Sequence, residues 1–126
     1  MIDHVSLRVS DLEKSTKLYE VCLSTIGYKK FKGDFDGAVG FGFDNLESGS
    51  GHVWLVKEDY ITQNVHIAFA VPDKESVKRF YQAGLAVGGR DNGKPGLRPE
   101  YGPNYYGAFF LDPDGNNIEA VTYSTT

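Results

Sequence analysis

Hydrophobic and polar residues alternate from residue 2 to residue 9. Val5, Leu7 and Val9 make one apolar face, and His4, Ser6 and Arg8 make the other. A period of two is the pattern of a strand buried on one side. The period then changes. Leu12, Leu18, Tyr19, Cys22, Leu23 and Ile26 recur at roughly helical spacing, which predicts an amphipathic helix over residues 11–26. Ser10-Asp11-Leu12-Glu13 reads as its capping box, with Ser10 as N-cap, and Gly27 ends it. Three short strands are expected next, at residues 28–35, 38–44 and 52–58. Asp36-Gly37 is a hairpin signal between the first two, and a polar, Gly/Ser-rich loop runs from Asn45 to Gly51.

The order then repeats. The stretch beginning His4-Val5-Ser6-Leu7-Arg8-Val9 returns 62 positions later as His66-Ile67-Ala68-Phe69-Ala70-Val71, and the same offset pairs Tyr19 with Tyr81 and Gly27 with Gly89. A repeat of this length implies two copies of one supersecondary unit. Residues 64–71 predict a strand, with Ile67, Phe69 and Val71 on the face equivalent to Val5, Leu7 and Val9. Residues 73–87 predict a helix, with Val77, Phe80, Tyr81 and Leu85 as its stripe and Gly88-Gly89 as its stop. Residues 90–104 are dominated by Gly, Pro, Asn and Arg and predict a long loop with at most a short strand. Strands are expected at residues 105–111 and 117–123, joined by the turn Asp112-Pro113-Asp114-Gly115.

Each unit therefore reads βαβββ, unit 1 over about residues 1–60 and unit 2 over about 64–126, within one domain of 126 residues. The expected fold class is α+β, with the two units forming a curved, barrel-like mixed sheet and helices outside. In that arrangement His4, Ser6 and Arg8, and from the second copy His66, Ala68 and Ala70, point into the cup. Small residues there (Ser6, Ala68 and Ala70, with Gly40, Gly42 and Ala108) leave volume for a ligand. Glycine also relieves crowding in a strongly bent sheet.

Composition narrows the partners. A net charge of −4 without a basic block argues against nucleic acid or an anionic membrane. There is no apolar run of spanning length, and Met1-Ile2-Asp3-His4 lacks the start of a secretory signal. A single cysteine, Cys22, excludes an intrachain disulfide and fits a reducing cytoplasm.

The chemistry-bearing residues follow from the repeat. His4 and His66 are imidazoles at equivalent points of the two copies. The last strand, Asn117-Ile118-Glu119-Ala120-Val121, offers one carboxylate. A glutamate among apolar strand residues is costly unless its charge is compensated. Two His and one carboxylate form a facial triad suited to Fe(II), and also to Mn, Ni, Co or Zn. Aligning the closing strands sets Trp54 where the second copy has Glu119, so Trp54 is expected to wall a pocket or fill the core. His52 lies two residues before Trp54. Arg90, Lys94, Arg98, Tyr101, Tyr105 and Tyr106 supply cations and phenols for an anionic or aromatic ligand, with Arg98 and Tyr106 the preferred pair. Arg8 is a second anion partner. Ser6, His52 and Tyr106 are the candidates for a general base.

Asp3-His4-Val5, His66-Ile67-Ala68-Phe69 and above all Phe110-Leu111-Asp112-Pro113-Asp114-Gly115-Asn116-Asn117-Ile118-Glu119 resemble the vicinal oxygen chelate superfamily of glyoxalase I, bleomycin resistance proteins and extradiol dioxygenases. The resemblance covers nearly the whole chain and implies paired βαβββ units. It implies ligand positions at His4, Trp54, His66 and Glu119. Tryptophan cannot ligate, which departs from glyoxalase I. The remaining two His and one Glu are similar to the set of extradiol dioxygenases and manganese-dependent fosfomycin thiol transferases, the latter also around Trp54 and Ser6. The resemblance further implies a homodimer that binds a small-molecule substrate. A divalent metal would polarise its vicinal oxygens in lyase, isomerase, dioxygenase or thiol transferase chemistry. The site is built either within one chain or from His4 of one subunit and His66 and Glu119 of the other. The alternative is a non-catalytic protein that sequesters an antibiotic-type molecule, as bleomycin resistance proteins do.

Overall fold

The computed structural model describes residues 1–32, 35–43 and 52–126. The elements run β1 (Val5–Val9), α1 (Leu12–Ser24), β2 (Lys29–Lys30), β3 (Ala38–Gly42), β4 (Val53–Lys57), β5 (His66–Ala70), α2 (Lys74–Ala86), β6 (Arg90–Leu97), β7 (Tyr106–Leu111) and β8 (Asn117–Thr122), with a 3-10 turn, Pro99–Tyr101, between β6 and β7. This is the expected pair of βαβββ units in an α+β fold. They form two four-stranded sheets, ordered β1-β4-β3-β2 and β5-β8-β7-β6, curved but not closed. In each unit the first and last strands are parallel neighbours and the other pairs are antiparallel. That connection requires α1 or α2 to cross over one face of its own sheet.

The alternation dictates which face the helix covers. Leu7, Val9, Val53 and Leu55 pack under α1 with Leu18, Tyr19, Cys22 and Leu23. Val71, Phe110, Ile118 and Ala120 pack under α2 with Val77 and Phe80. Burial raises the Cys22 thiol well above its ordinary pKa, so it stays an inert apolar group. The two helices also pack on each other. A polar strut ties the units together: the Tyr19 hydroxyl donates to Asp112 Oδ2 at 2.6 Å. Asp112 Oδ1 accepts the backbone N–H groups of Asp114 and Asn116, which closes the β7–β8 turn. Among the described residues, no helix is long and apolar enough to cross a membrane.

Four local expectations need correction. The N-cap of α1 is Asp11, whose side chain accepts from the Lys14 N–H, as Asp73 accepts from Ser76 in α2. The Ser10 hydroxyl donates instead to Asp114. Residues 90–104 are not mainly loop, because Arg90–Leu97 forms β6. Its register shifts between Asp91 and Gly93 and again between Gly93 and Gly96, so it pairs as a bulged edge strand that a regular alternation would not reveal. Of the strand expected at residues 28–35, the described residues form sheet only at Lys29–Lys30. Ala108 lies on the helix side, 1% exposed, and the small residue on the open face of β7 is Gly107. The Asp36-Gly37 turn has both residues at positive φ, 57° and 82°, as a two-residue hairpin bend requires. The loop expected from Asn45 to Gly51 lies outside the described residues.

Candidate functional site

The uncovered face of the second sheet carries the chemistry. In β8, Asn117, Glu119 and Val121 alternate away from α2, and Phe109 of β7 stands opposite Glu119. Glu119 is fully buried, at 0% exposure. A carboxylate in that position must be compensated. Its Oε1 lies 2.7 Å from His66 Nε2, reaching across the parallel β5–β8 pair, and its Oε2 accepts the hydroxyl of Tyr105. Gly107 makes room for this: a Cβ there would stand 2.9 Å from Glu119 Oε2 and 3.3 Å from the Tyr105 ring. Burial, and then the carboxylate it serves, raise the Tyr105 phenol above its ordinary range, so at neutral pH it remains a donor.

Beside this group lies a cavity of about 430 Å³ lined by His66, Tyr101, Tyr105, Phe109 and Asn117. Asn92 donates to the Asn117 side chain at 3.1 Å. Arg98 lies against the Phe109 ring, with its guanidinium donating to the carbonyls of Gly96 and Lys94 at 2.8 and 2.7 Å. Two of its donors are thereby committed to its own backbone.

The remaining expected residues are placed elsewhere. His4 is exposed at the entry to β1, with Nδ1 2.7 Å from Asp3 Oδ1. Among the described residues no three His, Cys, Asp or Glu side chains of one chain form a metal-holding group, so His4 does not join His66 and Glu119 within a chain. Ser6 and His66 both line a groove of about 520 Å³ between β1 and β5. Arg8 lies against the Tyr60 ring, 4.9 Å from its centroid. Trp54 is on the open face of the first sheet, folded over Gly40 and met edge-on by Phe31 and Phe35. His52 packs among Tyr28 and Phe43, with Nδ1 3.3 Å from the Tyr28 hydroxyl. Tyr106, preferred from sequence, packs against the core on the α2 side under Lys74. The tyrosine that reaches Glu119 is its neighbour Tyr105. Strand alternation from Phe110 back through Ala108 would have marked Tyr106 as helix-facing.

His66 Nε2 and Glu119 Oε1 are donors that first-row divalent metals accept; His66 lines the cavity, and the buried Glu119 carboxylate lies behind it. They fit one part of a metal site. Completing it takes a further donor.

Two βαβββ units, each with its helix on one face of a four-stranded mixed sheet, define a class of α+β proteins built on a duplicated unit. Residues 1–120 match the Glyoxalase/Bleomycin resistance protein/Dioxygenase superfamily, and the chain belongs to that family. Among solved structures, a glyoxalase/bleomycin resistance protein from Albidiferax ferrireducens is 28% identical, with a TM-score of 0.77 over 95% of this chain and 96% of that one. A glyoxalase/bleomycin resistance protein/dioxygenase family enzyme from Burkholderia phytofirmans shares the fold at 15% identity and TM-score 0.73, over 98% of each chain. A glyoxalase I mutant from Zea mays does so at 23% and 0.63, over 95% of this chain and 43% of that one. No curated protein matches the chain significantly.

Proposed function

We propose that the protein is a metal-dependent enzyme acting on a small substrate that carries two adjacent oxygens. Its site is formed in a homodimer, by His66 and Glu119 of one subunit and His4 of the other. The observation that carries this reading is the wholly buried Glu119 carboxylate with His66 Nε2 2.7 Å from its Oε1, where His66 in turn lines a cavity of about 430 Å³. A divalent ion (Fe, Mn, Ni, Co or Zn) would supply Lewis-acid polarisation of the substrate oxygens there. The chain's own residues do the rest. Tyr101 and Phe109 wall the cavity against water and hold the apolar part of the substrate. Asn117, fixed by Asn92, offers its amide group for orientation. The resting His66–Glu119 contact keeps an imidazole beside a carboxylate, so a proton can be held at His66 Nε2 until a ligand displaces it.

The test is metal content and identity on protein never exposed to chelator or nickel resin. About one transition metal per chain, lost in His66→Ala, Glu119→Gln and His4→Ala, supports the reading. Protein without metal that also refuses every added divalent ion overturns it. A second reading, a binder that sequesters an aromatic molecule, is favoured by Trp54 with Phe31 and Phe35 on the open face of the first sheet. Quenching of Trp54 fluorescence by such a ligand in metal-free protein would support it.

A further inference from the structure

We infer that Tyr105 is a positioning residue that makes Glu119 a one-oxygen ligand, an assignment that rests on the metal reading above. A glutamate can grip a cation with one oxygen or with both. Here the two oxygens are sorted before any ion arrives: Oε2 accepts the Tyr105 hydroxyl, and Oε1 alone faces His66 Nε2. The sorting is held from several sides. The Tyr105 ring packs edge-on against Tyr101 and Tyr123, with centroids 5.2 and 5.3 Å away. Its carbonyl accepts the Arg98 N–H at 2.8 Å, which pins the turn that carries it. Gly107 leaves room for both groups, since a Cβ there would stand 2.9 Å from Oε2 and 3.3 Å from the phenol ring. A phenol locked on one oxygen of a carboxylate ligand orients that ligand and sets how much charge the other oxygen offers.

The test is Tyr105→Phe, which removes a single oxygen atom and keeps the ring in its stack. Tyr123→Phe serves as control, because that ring also packs on Tyr105 but lies outside the cavity and its hydroxyl is not on Glu119. Metal-free protein is titrated with Co²⁺, reading both affinity and the visible ligand-field bands, with a thermal melt for each variant. The expected result is a Co²⁺ affinity about 10- to 100-fold weaker in Tyr105→Phe, with shifted bands, and wild-type behaviour in Tyr123→Phe. A merely structural role would lower the melting temperature and leave the bands unmoved. Wild-type affinity and bands in Tyr105→Phe overturn the inference and leave the metal reading standing. Failure of the wild type to bind Co²⁺ overturns the metal reading and the inference with it. Should Tyr105→Phe not fold, the wild type decides by proton NMR. A phenol proton held on a carboxylate resonates far downfield and exchanges slowly, and its absence from the metal-free protein overturns the inference.

Discussion

At the scale of single residues, the site depends on what is absent at position 107. Glu119 Oε2 and the Tyr105 ring occupy the space a side chain would take. The oxygen is the end of a flexible side chain, but it is fixed by a hydrogen bond on one side and dense strand packing on the other. Gly107→Ala should therefore displace the carboxylate and destabilise the protein by about 1–3 kcal/mol, the usual cost of overpacking a filled site. Urea unfolding measures the stability, and the bound-metal stoichiometry should fall with it. In the sequence, His66 stands out through the duplication and Glu119 as the one carboxylate among the apolar residues of the last strand. The sequence did not distinguish Tyr105 from Tyr106, because Tyr105 stands just outside β7, where the turn beginning at Arg98 and not the strand period sets its direction.

At the scale of elements, the Asp-Pro-Asp-Gly segment serves architecture more than chemistry. Tyr19 of α1 is 0% exposed and donates to Asp112, which is 1% exposed. Tyr19→Phe leaves a buried carboxylate oxygen with only a 3.3 Å contact from the Asn116 amide and should cost about 1–3 kcal/mol, read by denaturant unfolding. The helix caps make a pH prediction. Asp73 accepts the backbone N–H and then the hydroxyl of Ser76, and these bonds hold its carboxyl below the usual carboxylate range. A lowered folded pKa gives stability that is complete above the unfolded value and is lost as pH falls through the folded one. Melting temperature should therefore drop between about pH 4 and pH 2, and less steeply in Asp73→Asn, which keeps a capping acceptor without the charge. The repeat offset pairs the two caps, Asp11 and Asp73, but the local pattern points to Ser10 for the first, and no cap is named from sequence for the second helix. Ser10 obscured the first, since a serine two residues before the apolar stripe carries the same local signal. The strand β6 was hidden for another reason. Gly93 and Gly96 admit Phe109 and Arg98 against the backbone, and a stretch chosen for close approach looks like a loop when read for hydrophobic period.

At the scale of the whole molecule, each chain presents two curved sheets covered by helices on one side only. One open face carries Trp54 over Gly40, and the other carries Glu119 with His66. The ligand set proposed above is split along the same line, with His4 beside the first sheet and the His–Glu pair on the second. An isologous dimer pairs these unlike faces twice across its two-fold axis, so its one interface would hold two complete sites. Mixing variants tests this directly. His4→Ala and Glu119→Gln each abolish both sites of their own homodimer. Unfolded together and refolded in equal amounts, they should form heterodimers in which one site has both mutated groups and the other has neither. Random pairing then restores roughly a quarter of the wild-type sites, measured as bound metal per chain after removal of loose ions. A site completed within one chain gains nothing from mixing, because every chain carries one lesion. The refolded mixture must then stay as empty as its parents.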